Sequence, residues 1–265
     1  MIVIIIVAVS YGLIGICMSS DVLIAQEFQS CVDRTIERLR GEDTYRPFHA
    51  ALLSEEALFW SRFERSFSTS FGQRVIEKIS KVCALSGGAT GAMTQRSTEF
   101  DICSNKLNFI EEHLTSLRDQ TFTRGLWERD LRNMQAVLPS GETVRTRVIS
   151  DLWWVVDGVN HYMSIKTVKP NIDQTAEAKK DLLKLKAYDP NCKVFFGLYY
   201  NPFGEDRTSY TWAPPQRIFN FSQDECVLIG KEYWDMLGGI GTYERVLGIA
   251  RNVGETTRRQ ISGLR

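Results

Sequence analysis

The sequence predicts one α/β domain whose first part is largely helical. Three observations lead there. Apolar residues recur at helical spacing as far as Leu117. Runs rich in β-branched and aromatic residues begin only at Thr146. Beyond that point, strand-like and helix-like segments alternate, as they do when both share one core.

Taken in order, residues 21–40 (DVLIAQEFQSCVDRTIERLR) place Val22, Leu23, Ala25, Phe28, Val32, Ile36 and Leu39 at helical spacing. Ser54 followed by Glu55 and Glu56 opens a second helix, running through Phe63. Residues 67–85 (FSTSFGQRVIEKISKVCAL) read as one amphipathic helix, closed by Gly87 and Gly88, and Leu107–Leu117 is a further helix. Residues 146–156 (TRVISDLWWVV) and 161–168 (HYMSIKTV) then flank Asp157-Gly158. That dipeptide tolerates the positive φ of tight primed turns, so the pair is a β-hairpin. Pro170 ends the second strand because it lacks a ladder donor. A helix over Asp173–Tyr188, a turn at Asp189-Pro190-Asn191 and a buried strand over Lys193–Tyr200 (KVFFGLYY) follow. After the turn at Asn201–Gly204 comes a mixed region, ending in a helix around Thr242–Asn252. There is no repeat, low-complexity tract or long linker.

With 265 residues the chain is long enough for a proper core, and its balance of apolar and charged residues is that of a soluble globular protein. Thirty-two basic residues offset thirty-two acidic ones, so net charge argues neither for nor against a nucleic-acid partner. One cleft lined with Lys and Arg is enough for a phosphate. The six cysteines are scattered without a CxxC pair, which argues against a zinc site and against a secreted disulfide framework. Reduced thiols and a cytoplasmic location are the expectation.

Residues 1–17 form an apolar extension, uncharged and close to the length of a membrane span. It reads as an upstream start-site artefact, as a membrane anchor or as a buried strand. The first is taken as the expectation, with a single domain over 18–265 beginning at Met18 and no membrane partner.

The chemistry centres on the hairpin. With a two-residue turn at Asp157-Gly158, Asp151 lies opposite Ser164, and Lys166 is its diagonal neighbour on the same face. With a four-residue loop, Asp151 lies opposite Lys166 instead, while an odd loop or a bulge breaks the arrangement. A carboxylate beside a lysine at a sheet surface is the minimum for phosphodiester hydrolysis: the acid holds a divalent cation and the lysine supplies positive charge. The plainer alternative is a cross-strand salt bridge.

Asp151 followed by Ser164-Ile165-Lys166 resembles the PD-(D/E)xK nuclease core, with Ser150-Asp151 in place of Pro-Asp. From about Arg46 to Arg251 the chain also resembles the TdeIII-type restriction endonucleases, through RPFHAALL, FERSFSTSFGQRVIEKI, SIKTVKPNIDQT, YYNPFG, VLIGKEYWDMLGG and TYERVL. The resemblance implies a PD-(D/E)xK restriction-endonuclease-like core, a mixed central sheet flanked by helices. It also implies Mg2+ as cofactor, a homodimer acting on double-stranded DNA, a short palindromic target of GG-N-CC type, and a cognate DNA methyltransferase as genetic partner. A repair or recombination nuclease with the same core, or a catalytically decayed DNA-binding protein, is the alternative. A membrane-anchored protein of unrelated function, resting on the apolar extension, is a further one.

Ser164 departs from the superfamily pattern, because it occupies the second acidic position and serine is no charged metal ligand. Some members with serine there supply the acid from the following helix, where Glu177 is suitably placed as a catalytic and metal-binding residue. Its alternative is a solvated residue pairing with nearby lysines. Asp173, which also suits an N-cap, is the weaker rival. Glu77 is the auxiliary metal ligand that the resemblance suggests, against an ordinary exposed helical glutamate, and Glu64 is a weaker version of the same idea. For DNA, Lys169 and Lys180 stand out among the lysines around the site (with Lys179, Lys184, Lys186 and Lys193). Asn201 and Arg207, like Gln216 and Arg217, have donors suited to a groove edge. His49, His113 and His161 have no metal-ligand spacing and read as structural.

Overall fold

The computed structural model describes residues 18–41, 47–119 and 124–262. The expectations for the apolar extension at 1–17 lie outside these residues. Four helices come first: α1 (Ser20–Gly41), α2 (Pro47–Leu52), α3 (Glu55–Phe71) and α4 (Gln73–Ser86). Then follow β1 (Gly91–Cys103), α5 (Ser104–Arg118), α6 (Trp127–Ala136), β2 (Thr143–Val156) and β3 (Val159–Lys166). The chain continues through α7 (Ile172–Tyr188), β4 (Lys193–Leu198), β5 (Val227–Ile229), α8 (Lys231–Gly238) and α9 (Thr242–Ser262).

The five strands form one mixed sheet in the order β1-β2-β3-β4-β5. The first three are antiparallel neighbours, whereas β3, β4 and β5 run parallel. Parallel neighbours need a crossover, and α7 supplies it between β3 and β4. Each face of the sheet buries its own cluster. Ile110, Leu114, Trp127, Leu183, Phe196 and Phe219 pack under α5, α6 and α7. Ile24, Ile76, Leu152, Met163, Tyr233 and Trp234 pack on the opposite side, under α1, α4 and α8.

The hairpin closes as its turn chemistry requires. Val156 pairs with Val159 across Asp157 and Gly158, whose φ values are 51° and 74°. Positive φ at both central residues is the signature of a type I′ turn. Helix α7 begins with a capping box in which Asn171 accepts from the Gln174 N–H. Asn171, rather than Asp173, is therefore the N-cap. Asp173 instead pairs with Arg118 across to α5, at 2.7 Å.

The first half differs from expectation in four places. The helix expected over 67–85 is two helices, parted at Gly72, where ψ is −175° and the chain leaves helical geometry. Helices α2 and α6 were not expected. Nor was β1, the edge strand that takes up register with nearly the whole of β2, from Gly91↔Val155 to Cys103↔Thr143. Its central residues, Thr94 to Glu99, are polar, and among the described residues its outer edge carries no partner strand. An edge strand does not need the apolar alternation by which strands are recognised in sequence.

The β1–β2 ribbon also changes faces. Ala92 and its partner Trp154 pack into the α1/α4/α8 cluster, yet Phe100 and Val148, of the same parity, pack into the α5/α6/α7 cluster. No residue is inserted in between, because Thr94↔Leu152 and Arg96↔Ser150 keep one register. The reversal falls at Gln95, opposite Asp151, where the backbone takes a φ of 53°.

Candidate active site

The two-residue turn places Asp151, Ser164 and Lys166 together. The last ladder pair of the hairpin on this side is Leu152↔Met163. Beyond it the Asp151 carboxylate takes over the role of the ladder, accepting the Ile165 N–H at 2.7 Å. The same oxygen, Oδ2, accepts from Ser164 Oγ and faces Lys166 Nζ, each at 3.4 Å. Asp151 is 8% exposed. A carboxylate so far removed from water requires this many donors.

Glu77 joins the group from α4, and it is not an exposed helical residue: its exposure is 2%. Its tie to the hairpin is Gln95, whose Nε2 donates to Glu77 Oε1 at 2.8 Å and to Asp151 Oδ1 at 3.3 Å. Burial pushes the Glu77 carboxyl above its ordinary range. The Gln95 hydrogen bond pulls it back, the Asp151 charge raises it further, and Arg74 and Lys166 lower it. Two acids therefore converge in a poorly solvated spot, with Lys166 beside Asp151 and the Arg74 charge also within range of Glu77. The sequence points to Glu77 only through the family resemblance, and nothing in it singles out Gln95. A polar residue in a strand that itself escaped notice leaves no local signal.

Glu177 is placed elsewhere. Its side chain is 61% exposed and pairs with Lys180 at 2.7 Å, while Lys180 also reaches Glu111 on α5 at 3.5 Å. Together with Arg118 and Asp173, these residues line a polar recess between α5 and α7. Four residues further along α7, Asp181 lies within electrostatic range of Lys166, and burial pushes its carboxyl up to about 6. Glu64 accepts from Ser68 on an exposed stretch of α3.

The residues considered for DNA contact divide sharply. Lys169 is exposed and stands over the rings of Phe203 and Trp212, at 5.1 and 5.7 Å. Arg207, by contrast, has all five N–H donors engaged: Nε and Nη2 to Glu232, Nη2 also to the Val227 carbonyl, and Nη1 to the carbonyls of Phe221 and Asp224. Asn201 spends its amide on Asp206 O and Ser209 Oγ, and its oxygen accepts the Phe203 N–H. Gln216 donates to the carbonyls of Tyr210 and Trp212. These side chains build the loops between β4 and β5, and their donors are not directed outward. Lys179 is fully buried against Asp130, at 2.5 Å. Of the histidines, His161 stacks on Trp154 and Phe195, and His113 Nε2 lies 3.2 Å from Asp130.

Among the described residues no group of three or more His, Cys, Asp or Glu gathers as a metal cluster. The donor set that does converge is two carboxylates and an amide. That suits a hard cation, since magnesium is commonly held by one or two carboxylates together with water and substrate oxygens.

A mixed sheet with helices on both faces, carrying a buried aspartate beside a lysine on adjacent strands, has the restriction-endonuclease fold. Residues 20–254 match the family model "Type II restriction endonuclease, HinfI", and the chain belongs to that family. It is 28% identical over 239 residues to the type II restriction enzyme HgiCII of Herpetosiphon aurantiacus, covering 87% of this chain and 85% of the relative. It is also 28% identical over 249 residues to HgiEI of the same organism, covering 89% and 87%. No solved structure matches. The class expected from the sequence is thus found, and within it the match names HinfI and does not reach the TdeIII-type likeness. Type II restriction enzymes are site-specific deoxyribonucleases that generally use divalent metal ions. Among the described residues no helix is long and apolar enough to cross a membrane.

Proposed function

We propose that the protein hydrolyses double-stranded DNA at a short palindromic site with Mg2+ as cofactor, Asp151 and Glu77 being the acids that hold the cation and Lys166 the catalytic base-side cation. The observation that carries this reading is the convergence of Asp151, Lys166 and Glu77 around Gln95. When bound, the cation activates water and offsets charge on the phosphoryl oxygens. Lys166, held 3.4 Å from Asp151, orients the nucleophile and adds positive charge where the phosphate becomes more anionic. Ser164 keeps Asp151 oriented and bears no charge itself. Glu177, paired with Lys180 on the α5 side, is the less favoured second acid.

Lys169 is the preferred phosphate contact, since its ammonium is exposed and lies three residues beyond Lys166. Lys180 is secondary, its charge being shared with Glu177 and Glu111. A palindrome is most simply matched by a two-fold protein, so the working form is a homodimer. The TdeIII-type likeness makes GG-N-CC the target form to examine first. The natural setting is the cytoplasm, beside a cognate methyltransferase that protects the host sites.

Purified protein incubated with phage DNA and Mg2+ is expected to yield discrete bands, and Lys166→Ala to lose about 100- to 1000-fold in rate with its fold retained. Unspecific degradation would favour a repair nuclease. A Lys166→Ala rate within about tenfold of the parent would remove this lysine from the mechanism.

A further inference from the structure

Gln95 is one of two non-glycine residues with positive φ among the described residues, and the other, Asp157, belongs to the hairpin turn. A left-handed glutamine within a strand is uncommon, and such backbone persists where its surroundings hold it, often at active sites. Here it faces Asp151 across the β1–β2 ladder, at the point where the ribbon changes faces. Regular strand alternation would carry residue 95 along with its neighbours, whereas the left-handed backbone re-aims it. The amide then reaches Glu77 on one side and Asp151 on the other.

Both contacts run from Nε2. Carboxylates only accept, so the two amide protons are directed one to each acid. A single nitrogen thus links two like charges and limits how far apart they can move, without adding charge of its own. We propose that Gln95 is a positioning residue for the cation site: its amide sets the spacing of Glu77 and Asp151, and its left-handed backbone aims it there. The inference rests on the reading of those two acids as the cation ligands.

A purely structural glutamine would alter stability and leave cation affinity alone, so affinity is the readout. Mn2+ is titrated calorimetrically into the full chain without DNA, for the parent, Gln95→Met, Glu77→Gln, Asp151→Asn and the Gln95→Met/Glu77→Gln pair. Circular dichroism confirms folding. Gln95→Met is expected to weaken Mn2+ binding by about tenfold or more, as loss of a ligand-orienting partner commonly does. In the pair, the loss at Gln95 is expected to be smaller than in the parent, because one of the two acids it spaces is already gone. Parent-like affinity in Gln95→Met, with binding lost in Glu77→Gln and Asp151→Asn, overturns the role of Gln95 alone. Parent-like affinity in both acid variants overturns the ligand reading and this inference with it. If Gln95→Met fails to fold, Gln95→Glu takes its place. It crowds a third carboxylate into the site, so its Tm is expected to fall in chelator and recover with Mn2+. A Tm loss unaffected by Mn2+ counts against the proposal.

Discussion

The Ile165 N–H donates to Asp151 Oδ2 at 2.7 Å, just past the last β2–β3 ladder pair. The acid of the candidate site is therefore also the fastening between the two strands that present it. Asp151→Ala is expected to lose activity and, in addition, stability of about 1–3 kcal/mol, since the short hydrogen bond from the Ile165 N–H and the contacts to Ser164 and Lys166 are lost together. Asp151→Asn keeps an acceptor oxygen, so it is expected to remain near parental stability while losing cleavage. Urea unfolding beside a cleavage assay separates the two effects. An Asp151→Ala variant as stable as the parent would show that the hydrogen bond does not hold the strands.

The two glutamates considered as the second acid are distinguished by burial. Glu77 is nearly inaccessible and tied to Asp151 through Gln95, whereas Glu177 is exposed and paired with Lys180. Glu77→Gln is expected to cut the cleavage rate by about 100-fold, the order of loss when one site electrostatic contact is removed. Glu177→Ala is expected to stay within a few-fold, because exposed ion pairs contribute about 0–1 kcal/mol. Comparable large losses in both would bring Glu177 into the site.

Lys179 holds the α6–α7 side of the core together. Its ammonium is buried between Asp130 Oδ2, at 2.5 Å, and the Ile218 carbonyl, at 2.7 Å, over the Phe219 ring. Burial alone would raise the Asp130 carboxyl, but the His113 hydrogen bond and the Lys179 charge outweigh it and hold the group well below the usual range. Lys179→Met is expected to cost about 1–3 kcal/mol, since Asp130 and the Ile218 carbonyl lose a buried donor while Arg129 and His113 still partner the carboxylate. A depressed folded-state pKa supplies stability that is present above about pH 4 and lost as pH falls through the folded value. The acid limb of the parent's stability curve should therefore be steeper than that of Lys179→Met. Denaturant midpoints between pH 2 and 7 would measure this, and parallel curves would refute it.

Asp181 has the opposite sign. Burial raises its carboxyl to about 6, above the unfolded value near 3.9. Its contribution is then fully present below about pH 4 and is lost as pH rises through 6. Asp181→Asn, which cannot ionise, is expected to stabilise the protein by up to about 2 kcal/mol at pH 8 and by little at pH 4. Thermal melts at the two pH values check this, and destabilisation at pH 8 would contradict it.

The hairpin was legible because its causes are local. Asp157-Gly158 specifies the turn, and the period-two alternation of a strand then puts Asp151, Ser164 and Lys166 on one face. Glu177 shows the limit of that logic. Its position on a helix after β3 follows from the sequence, but the rotation of α7 about its axis is set by Ala176, Ala178, Leu182 and Leu183 packing on the sheet, which turns Glu177 outward.

The sequence by itself determined the class of fold, the Asp–Lys pair and the segments that carry them, because turn chemistry and periodicity act between residues close in the chain. Only the tertiary structure decided which acid stands beside Asp151. Glu77 lies 74 positions earlier, on helix α4. Gln95, which joins the two, sits in a strand that exists because β2 offers it a ladder. Contacts across such separations depend on how whole elements pack, and no window along the chain contains them.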